Sequence, residues 1–418
     1  MSTKKKVIWF GTQLVQSGGG ERLSLEIVRT LKDQGYEVHY VVYNYDREKT
    51  FDGHYDFLNI VRLEDGDDRS QFRSPIQRRV WNLQRRFWLR RTLKRLRPDI
   101  VITTGTWNQV VELHLATLGM SLKYGVHVFG SLFAFRPEQE RSKYAWVFRK
   151  SFEKIRNSVP TYIDIVPATL PLMGLRERLA LEKYAWLKRW AIRRAEVVWA
   201  LTNRNAWETK HLYGCPVKVL NGAFPESIFS FQPSGNLRDE LGLPDRKLIL
   251  SICRLVPNKR VDLCIQAFTE LARTREDVCL IIGGTGPEEE MLRSMVKSAK
   301  LTERVRFIGH VPEERLFSYY CGCDVVVHLD LADFDIAPLE ALALGVPVIW
   351  ADEMDLPEIT SNLGFVYEVP PDPNLIAKAM EVAIDENVEH PTVEQRREVL
   401  DSFTWEQFSR RMMASFDD

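Results

Sequence analysis

Apolar, strand-like runs alternate with helical segments along this chain, and this alternation is what most constrains its fold. It is most compact in the second half. There the predicted strands are KLILSICRL, VCLIIGG, VRFIGHV, DVVVHL and VPVIWA, and the predicted helices are VDLCIQAFTELAR, PEEEMLRSMVKSA and APLEALALG. Strands that are joined through helices pair in parallel, and the helices cover both faces of the sheet. The pattern therefore predicts an α/β domain with a doubly wound sheet.

The first half repeats this pattern over longer segments. It begins with a strand at 7–10, a glycine-rich loop at 11–20, a helical segment and a strand at 38–43. Further strands are predicted at 99–102 and 197–202, so this half is also expected to form a doubly wound, Rossmann-like domain.

The domain boundary is predicted from a change of composition after Asn221-Gly222, where turn formers follow one another without a buried strand. We expect a first domain at 1–222, a linker at 223–245, a second domain at 246–392 and a C-terminal helical segment at 393–418 that could cross back to the first domain. Two such domains facing each other would form a central cleft at the carboxyl ends of both sheets, where ligands bind.

Composition excludes several classes of protein. With 57 basic and 57 acidic residues among 418, and 45% hydrophobic residues, the chain is neither disordered nor able to attract nucleic acid through its overall charge. No apolar run approaches the length of a membrane-spanning helix, and VIWF at 7–10 is too short for a signal peptide. A cytoplasmic location is expected, with attachment to a membrane surface as an option.

All six cysteines lie in the second half, several within apolar strands, and are expected to be reduced core residues. Cys321-Gly-Cys323 is a poor match to zinc-binding spacings, so no metal is expected there.

Two cations follow the first predicted strand of the second domain. Arg254 and Lys259 lie in SICRLVPNKRVD, in a loop that leads into a helix. A guanidinium offers a fork of donors and an ammonium a compact charge, which together suit a diphosphate whose charge grows as it leaves. Two solvated surface cations are the alternative interpretation.

A glycine turn, GGTGP at 283–287, joins the next strand to a helix, where backbone N–H groups could approach a ligand. It does not match the dinucleotide motif GxGxxG, because the third glycine position holds Glu289. A nicotinamide enzyme and a plain tight turn are the alternatives.

Glu340 lies in the first turns of the helical segment APLEALALG. Its carboxylate could accept two hydrogen bonds from a ribose diol. A surface glutamate favoured by the helix dipole is the alternative.

In this order and spacing, Arg254, Lys259, GTGP, VRFIGHV and PLEALALGVPVI resemble the nucleotide-sugar domain of the retaining GT-B glycosyltransferases of family 4, also called glycosyl transferases group 1. The resemblance covers about 220–400 closely. The first half matches in pattern only, through GGGE at 18–21, RRAEVVWALT at 193–202 and the Asn221-Gly222 turn. The resemblance implies the GT-B fold, two Rossmann-like domains facing a central cleft, with a C-terminal helix.

The resemblance also implies roles for particular residues. Arg254 and Lys259 match the pair that holds the donor diphosphate. Glu340 matches the second Glu of the Glu-x7-Glu motif, which binds the ribose. Ile336, Ala337 and Leu339 match positions that bind the donor beside Glu340, and Gly284 and Gly286 match the loop beneath the nucleotide. The segment beside the base is matched by His310 and Val311. In the first domain, the loop that meets the acceptor and the phosphates is matched by Gly18, Gly19 and Gly20.

One departure from the family pattern concerns the donor sugar. Ala332 stands where the family usually has its first Glu, which contacts that sugar, and Asp335 replaces a usual glycine. Asp330 and Asp333 are nearby carboxylates that could substitute, although neither is in register, and Asp333 is taken as a candidate catalytic residue.

Asp333-Phe334-Asp335 also spells the metal–diphosphate motif of the other major glycosyltransferase fold. Because Arg254 and Lys259 already supply the positive charge that a divalent metal would, neither a metal nor a cofactor is expected.

His127, in KYGVHVFGS, is the candidate for a general acid or an acceptor-orienting group, since family members often place a histidine late in the first domain. A hydrogen-bonded structural histidine is the alternative. In a retaining enzyme the leaving phosphate oxygen can take the acceptor's proton, so no protein base is strictly required.

Eleven basic and no acidic residues lie between Arg69 and Arg97, interleaved with aromatic and aliphatic side chains. This composition, with YAWLKRWAIRR at 184–194, indicates attachment to an anionic membrane surface. A surface helix packed on the first domain is the alternative, and nucleic acid is disfavoured because no binding module accompanies the patch.

The sequence therefore predicts a cytoplasmic, membrane-peripheral glycosyltransferase that moves a hexose-type sugar from a nucleoside diphosphate to an acceptor, such as a lipid-linked glycan. The alternatives are a catalytically inactive nucleotide-sugar binding or regulatory protein, and a nucleotide-sugar epimerase or hydrolase. The base, sugar, acceptor and linkage stay open.

Overall fold

The computed structural model of the chain describes residues 4–14, 19–47, 58–63, 74–105, 108–130, 146–157, 172–331, 334–353, 357–385 and 391–417. These residues divide into two units, Met1–Asn221 with Trp405–Asp418, and Gly222–Thr404. No described helix is long and apolar enough to span a membrane.

The first unit is built on a seven-stranded parallel sheet with the strand order β3-β2-β1-β4-β5-β6-β7. Its strands are β1 (Lys6–Leu14), β2 (Glu37–Tyr45), β3 (Asn59–Arg62), β4 (Ile100–Thr104), β5 (Lys123–Val128), β6 (Val197–Ala200) and β7 (Lys218–Val219). Its helices are α1 (Gly19–Asp33), α2 (Pro75–Leu96), α3 (Gln109–Thr117), α4 (Arg149–Arg156), α5 (Leu175–Arg193), α6 (Asn203–Tyr213) and, from the end of the chain, α14 (Trp405–Ala414).

The second unit is built on a six-stranded parallel sheet with the order β10-β9-β8-β11-β12-β13. Its strands are β8 (Lys247–Ile252), β9 (Val278–Gly283), β10 (Val305–Gly309), β11 (Val325–His328), β12 (Val348–Ala351) and β13 (Val366–Val369). Its helices are α7 (Leu237–Leu241), α8 (Val261–Leu271), α9 (Glu289–Ser298), α10 (Glu313–Gly322), α11 (Ala337–Ala343), α12 (Pro373–Asp385) and α13 (Val393–Leu400), with 3-10 turns at Glu226–Ser230, Pro257–Lys259, Glu358–Leu363 and Asp401–Phe403.

Both sheets are doubly wound, because the chain first adds strands on one side of the first strand of the sheet and then adds strands on its other side. In the first unit β1 lies between β2 and β4, and in the second β8 lies between β9 and β11. The strands are buried apolar runs, as expected for sheets covered on both faces. The predicted α/β fold class, with two doubly wound, Rossmann-like domains, is confirmed. Strands β3, β7 and β13 are short elements that the sequence analysis did not predict.

The structure divides the chain differently from the predicted boundaries. The predicted linker at 223–245 belongs to the second unit, and its apolar side chains, Phe224, Ile228, Phe229, Leu237 and Leu243, are part of that unit's hydrophobic core. Its turn formers separate short helical turns that are held by this burial, so the segment does not act as a spacer.

The predicted C-terminal segment at 393–418 is also divided. α13 packs within the second unit, whereas α14 belongs to the first. The Gln34 Nε2 group donates a hydrogen bond to the Glu406 carbonyl oxygen at 2.9 Å, and Phe408 and Met412 on α14 are fully buried.

Candidate active site

The candidate site of the second unit lies where the strand order reverses. Because β8 and β11 are neighbours, the loops that follow them meet at the carboxyl edge of the sheet, which is where open α/β sheets bind ligands. The first loop carries Arg254 and Lys259, and the second carries Asp330 and Asp335. The Leu331 N–H donates to the Asn258 carbonyl oxygen at 2.9 Å and ties the two loops together.

Lys259 is the centre of a charged cluster in this crevice. Its Nζ lies 2.5 Å from Asp330 Oδ2 and also donates to Asp335 Oδ2. His328 Nε2, at the end of β11, lies 3.1 Å from Asp335 Oδ2, and Asn258 Nδ2 donates to Asp330 Oδ1 at 3.0 Å. The Lys259 side chain is 12% exposed.

The charges of the cluster keep Lys259 and Asp335 ionised. Burial lowers the pKa of Lys259, but the attraction of Asp335 and Asp330 outweighs it and raises the net pKa above the usual range. Burial likewise raises the pKa of Asp335, but Lys259 and His328 outweigh it and hold that pKa well below its usual value. The lysine is therefore a permanent cation between two carboxylates.

Arg254 differs from Lys259 in its surroundings. It is exposed at the rim of the crevice, and among the described residues its guanidinium makes no ion pair or side-chain hydrogen bond. Its donors therefore remain available to an anion.

The glycine turn packs directly on the loop of Arg254. A Cβ on Gly284, whose φ is +116°, would overlap the Cys253 carbonyl oxygen, and one on Gly286 would overlap the Leu255 carbonyl oxygen. The Leu255 N–H donates to the Thr285 carbonyl oxygen at 3.0 Å. Glycine is therefore required for the close approach of the two loops, whether or not a ligand lies above them.

The remaining donor-side candidates lie on the same unit. Glu340 is 1% exposed on α11, so the alternative of a solvated surface glutamate is wrong. Leu339 is fully buried, Ile336 and Ala337 are half-buried at the start of α11, and His310 is exposed beyond β10. Val311 is half-buried and lies against Gly283. A Cβ atom added to Gly283 would lie 3.1 Å from Val311 Cγ2.

Among the described residues, the one group of side chains close enough to ligate a metal is His328, Asp330 and Asp335, whose ligand atoms lie within 4.8 Å of one another. Lys259 is bonded to both carboxylates of this group. The sequence analysis missed His328. The available signal was a histidine at the end of a buried strand, with two aspartates in the segment that follows it.

Of the other predicted site residues, Gly18 and Asp333 lie outside the described residues, as does Ala332. Gly19 begins α1, and Gly20 lies in the first turn of that helix. A Cβ atom added to Gly20 would lie 3.6 Å from the Phe129 ring.

His127 lies at the core of the first unit rather than on its surface. It is fully buried on β5 among the rings of Phe129, Trp199 and Phe408, with centroids 4.6 to 6.3 Å from its own. Burial lowers its pKa to about 3, so the imidazole is neutral near neutral pH. This placement does not favour the general-acid role, and an acceptor-orienting role stays a prediction.

The cysteines are free thiols in or beside the core of the structure. Burial raises the pKa of Cys253 to about 12 and raises the pKa of Cys321 and Cys323 as well.

The basic stretch forms α2, which begins with a capping box between Ser74 and Gln77. One face packs on the unit through Leu89 and Leu93, and Arg86 forms two 2.9 Å hydrogen bonds with Glu112. Arg69 and Arg73 lie outside the described residues.

A second, apolar face of α2 is exposed to solvent. Its side chains recur every three or four residues and are between 48% and 72% exposed: Ile76, Val80, Leu83 and Phe87. The helix therefore packs on the unit with only part of its apolar surface. Arg79, Arg91, Lys94 and Arg95 are exposed on the same helix.

A matching exposed stripe lies on and just before α5. Its members are between 61% and 99% exposed: Leu172, Leu175, Leu179 and Trp186. The predicted region at 184–194 is itself largely packed, since Lys188 and Ile192 are buried and Trp190 lies against His114 at 4.2 Å. Both α2 and α5 contact α3, so the two stripes belong to helices that pack on the same helix of one unit.

Comparison with known proteins gives the class. The family described as "Glycosyl transferases group 1" matches residues 234–399, and that described as "Glycosyl transferase 4-like domain" matches 18–209. The chain therefore belongs to the group 1 glycosyltransferases of the GT-B fold, which confirms the predicted family, whereas the retaining mechanism stays a prediction.

The chain is similar to several individual proteins. A GDP-mannose-dependent alpha-(1-6)-phosphatidylinositol monomannoside mannosyltransferase of Mycolicibacterium smegmatis is 35% identical over 130 residues, which is 29% of this chain and 34% of that protein. The GPI3 subunit of a phosphatidylinositol N-acetylglucosaminyltransferase of Saccharomyces cerevisiae is 29% identical over 150 residues, 36% of this chain and 33% of that protein. The matched region thus spans about a third of the length of these relatives.

Among solved structures, sucrose-phosphate synthase of Thermosynechococcus elongatus has a TM-score of 0.72 at 16% identity, covering 99% of this chain and 98% of the other. This likeness supports the fold alone.

Proposed function

We propose that this glycosyltransferase moves a hexose-type sugar from a nucleoside diphosphate to a lipid-linked acceptor at the cytosolic face of a membrane, with retention of configuration. The donor is held by the second unit, with Arg254 and Lys259 on the diphosphate and Glu340 on the ribose. The observation that carries the proposal is the position of Arg254 and Lys259 in the loop after β8, at the switch point of the second sheet.

The charges suit a diphosphate as a leaving group. Arg254 is exposed and its donors are available, and Lys259, in the same loop, holds a permanent positive charge. Preorganised cations of this kind stabilise charge that develops in the transition state.

We also propose that the reaction needs no metal. Lys259 lies between Asp330 and Asp335, the carboxylates that a divalent ion would otherwise bridge. A fixed ammonium at this position supplies the positive charge without an exchangeable ion.

The lipid acceptor and peripheral membrane location are proposed from two observations. The names of two relatives specify phosphatidylinositol-based substrates. The exposed stripes of α2 and α5 combine large apolar side chains with arginines and lysines, which is typical of a surface that binds anionic lipid headgroups.

A donor screen by isothermal titration tests the proposal. GDP-, UDP- and ADP-sugars are titrated in turn, without metal, into the wild type, an Arg254→Ala/Lys259→Ala variant and a matched Arg273→Ala/Lys300→Ala control. One donor should bind to the wild type and the control, and the first variant should lose it. No binding of any donor to the wild type would overturn the assignment.

The second candidate is a nucleotide-sugar binding protein without transfer activity. The observation that favours it is the double carboxylate clamp on Lys259, which reduces the net positive charge offered to a diphosphate. Donor binding without turnover in the presence of lipid extracts would support it, and donor consumption without an acceptor would indicate a hydrolase or epimerase.

A further inference from the structure

We propose that Asp335 is the carboxylate that binds the hydroxyl groups of the transferred sugar in the donor. This inference rests on the proposed function, because it names a specificity-determining contact within the same site. It starts from the position of Asp335 in the loop after β11, directly before α11, at the edge that carries Arg254.

The two oxygens of Asp335 have different surroundings. Oδ2 is fixed by Lys259 Nζ and lies 3.1 Å from His328 Nε2. Oδ1 has one hydrogen bond among the described residues, a long one of 3.4 Å from the Ala337 N–H. The side chain is therefore held in place through one oxygen, while the other retains acceptor capacity.

Accessibility separates Asp335 from the other described carboxylates of the crevice. Its side chain is 24% exposed, whereas Asp330 is 1% exposed and has both oxygens engaged, by Lys259 and by Asn258. Asp335 is thus the more accessible of the two aspartates bonded to Lys259.

The chemistry of the cluster fits a neutral polyol next to a diphosphate. An ionised carboxylate only accepts hydrogen bonds, and sugar hydroxyl groups are donors that bond strongly to such an acceptor. A bare carboxylate would repel the neighbouring phosphates. Lys259 screens that repulsion because its ammonium lies against Oδ2.

The test compares sugar nucleotides with the corresponding nucleotides. GDP-mannose and GDP, UDP-glucose and UDP, and ADP-glucose and ADP are titrated as pairs into the wild type, Asp335→Ala, the nearly isosteric Asp335→Asn and the buried control Asp330→Asn. The expected result for Asp335→Ala is a loss of about 10- to 100-fold in affinity for the sugar nucleotide. Affinity for the matching nucleotide should stay the same or rise, because removal of this carboxylate leaves more of the Lys259 charge to the diphosphate.

The variants separate the possible roles. Asp335→Asn should lose less than Asp335→Ala, since an amide oxygen still accepts a hydrogen bond, and Asp330→Asn should change both members of a pair equally. If Asp335→Ala and Asp335→Asn lost equal affinity for the sugar nucleotide and for the matching nucleotide, the sugar contact would be overturned. Asp335 would then act on diphosphate binding through Lys259. A wild type that binds no member of any pair would overturn the proposed function, and this inference with it.

Discussion

Lys259 is the residue on which the charge balance of the candidate donor site depends. Among the described cations, it alone is bonded to both Asp330 and Asp335. These two carboxylates also belong, with His328, to the group of side chains that could ligate a metal. Removing it leaves two buried or half-buried carboxylates that repel each other.

Lys259→Met should therefore lower the free energy of unfolding by about 3 kcal/mol. It should also open a site for a divalent cation on His328, Asp330 and Asp335. Urea unfolding with and without MnCl₂ measures both effects: Mn²⁺ should raise the midpoint of the variant but not of the wild type. Arg254→Met, which removes an exposed cation from the same crevice, is the control and should respond as the wild type does. Absence of any Mn²⁺ effect on Lys259→Met would contradict this account of the cluster.

His127 makes stability depend on pH. Its pKa is about 3 in the folded protein and about 6.5 in an unfolded chain, so the unfolded state binds a proton that the folded state excludes. The stabilisation is fully present above pH 6.5 and is lost as the pH falls toward 3. At pH 5 the loss from this residue should be about 2 kcal/mol.

Urea unfolding at pH 7.5 and pH 5 compares the wild type with His127→Phe, which keeps a ring among the surrounding aromatic side chains. The variant should lose about 2 kcal/mol less than the wild type between these pH values. The exposed His310→Gln is the control and should behave as the wild type does. An unchanged pH dependence in His127→Phe would refute the assignment.

At the scale of elements, the loops at the carboxyl edge of the second sheet are held together by close backbone contact. The turn at Gly284 and Gly286 packs against the carbonyl groups of Cys253 and Leu255, and these contacts fix the loop that carries Arg254. The position of the cation thus depends on two glycines on another loop.

Gly284→Ala should destabilise the protein by about 3 kcal/mol, because the Cβ overlaps backbone and the φ is positive. Gly364→Ala is a matched control, since Gly364 also has a positive φ but no atom within 4 Å of a Cβ, and it should cost about 1 kcal/mol. Thermal unfolding and donor titration measure both variants. Equal effects would show that backbone conformation, and not the close approach, decides the loss.

At the scale of the whole molecule, the chain forms two Rossmann-like units and returns to the first one through α14. The exposed apolar stripes described on α2 and α5 both belong to the first unit, whereas the charged cluster of the proposed donor site belongs to the second. We therefore expect lipid binding and donor binding to be separable by mutation.

A Leu83→Ser/Phe87→Ser/Leu175→Ser/Leu179→Ser variant should sediment about tenfold less with vesicles that contain phosphatidylserine, because each substitution removes apolar surface that would enter the interface. Binding of the wild type should weaken at high salt and with neutral vesicles.

Met291→Ser/Leu375→Ser removes exposed apolar side chains from the second unit and is the control. Unchanged vesicle binding in the fourfold variant would exclude these stripes as the lipid surface, and donor affinity should be unaffected throughout.

The sequence by itself determined the fold class and the loops that carry the donor-site candidates. Buried parallel strands need continuous apolar runs, and ligands bind at the carboxyl ends of such strands, so local patterns were enough to select Arg254, Lys259 and Glu340 as candidates. Their roles came from the family resemblance and stay predictions. The same patterns did not reveal that the turn-rich segment after Gly222 is core, because its apolar residues lack strand or helix periodicity.

Only the tertiary structure decided which partners these residues have. Asp330 and Asp335 lie 71 and 76 residues from Lys259 in sequence and reach it because β8 and β11 are neighbours. Strand order depends on the packing of the whole sheet, and no local pattern encodes it. For the same reason the sequence showed that α2 is basic and apolar, but only packing against α3 determined which of its apolar side chains stay exposed.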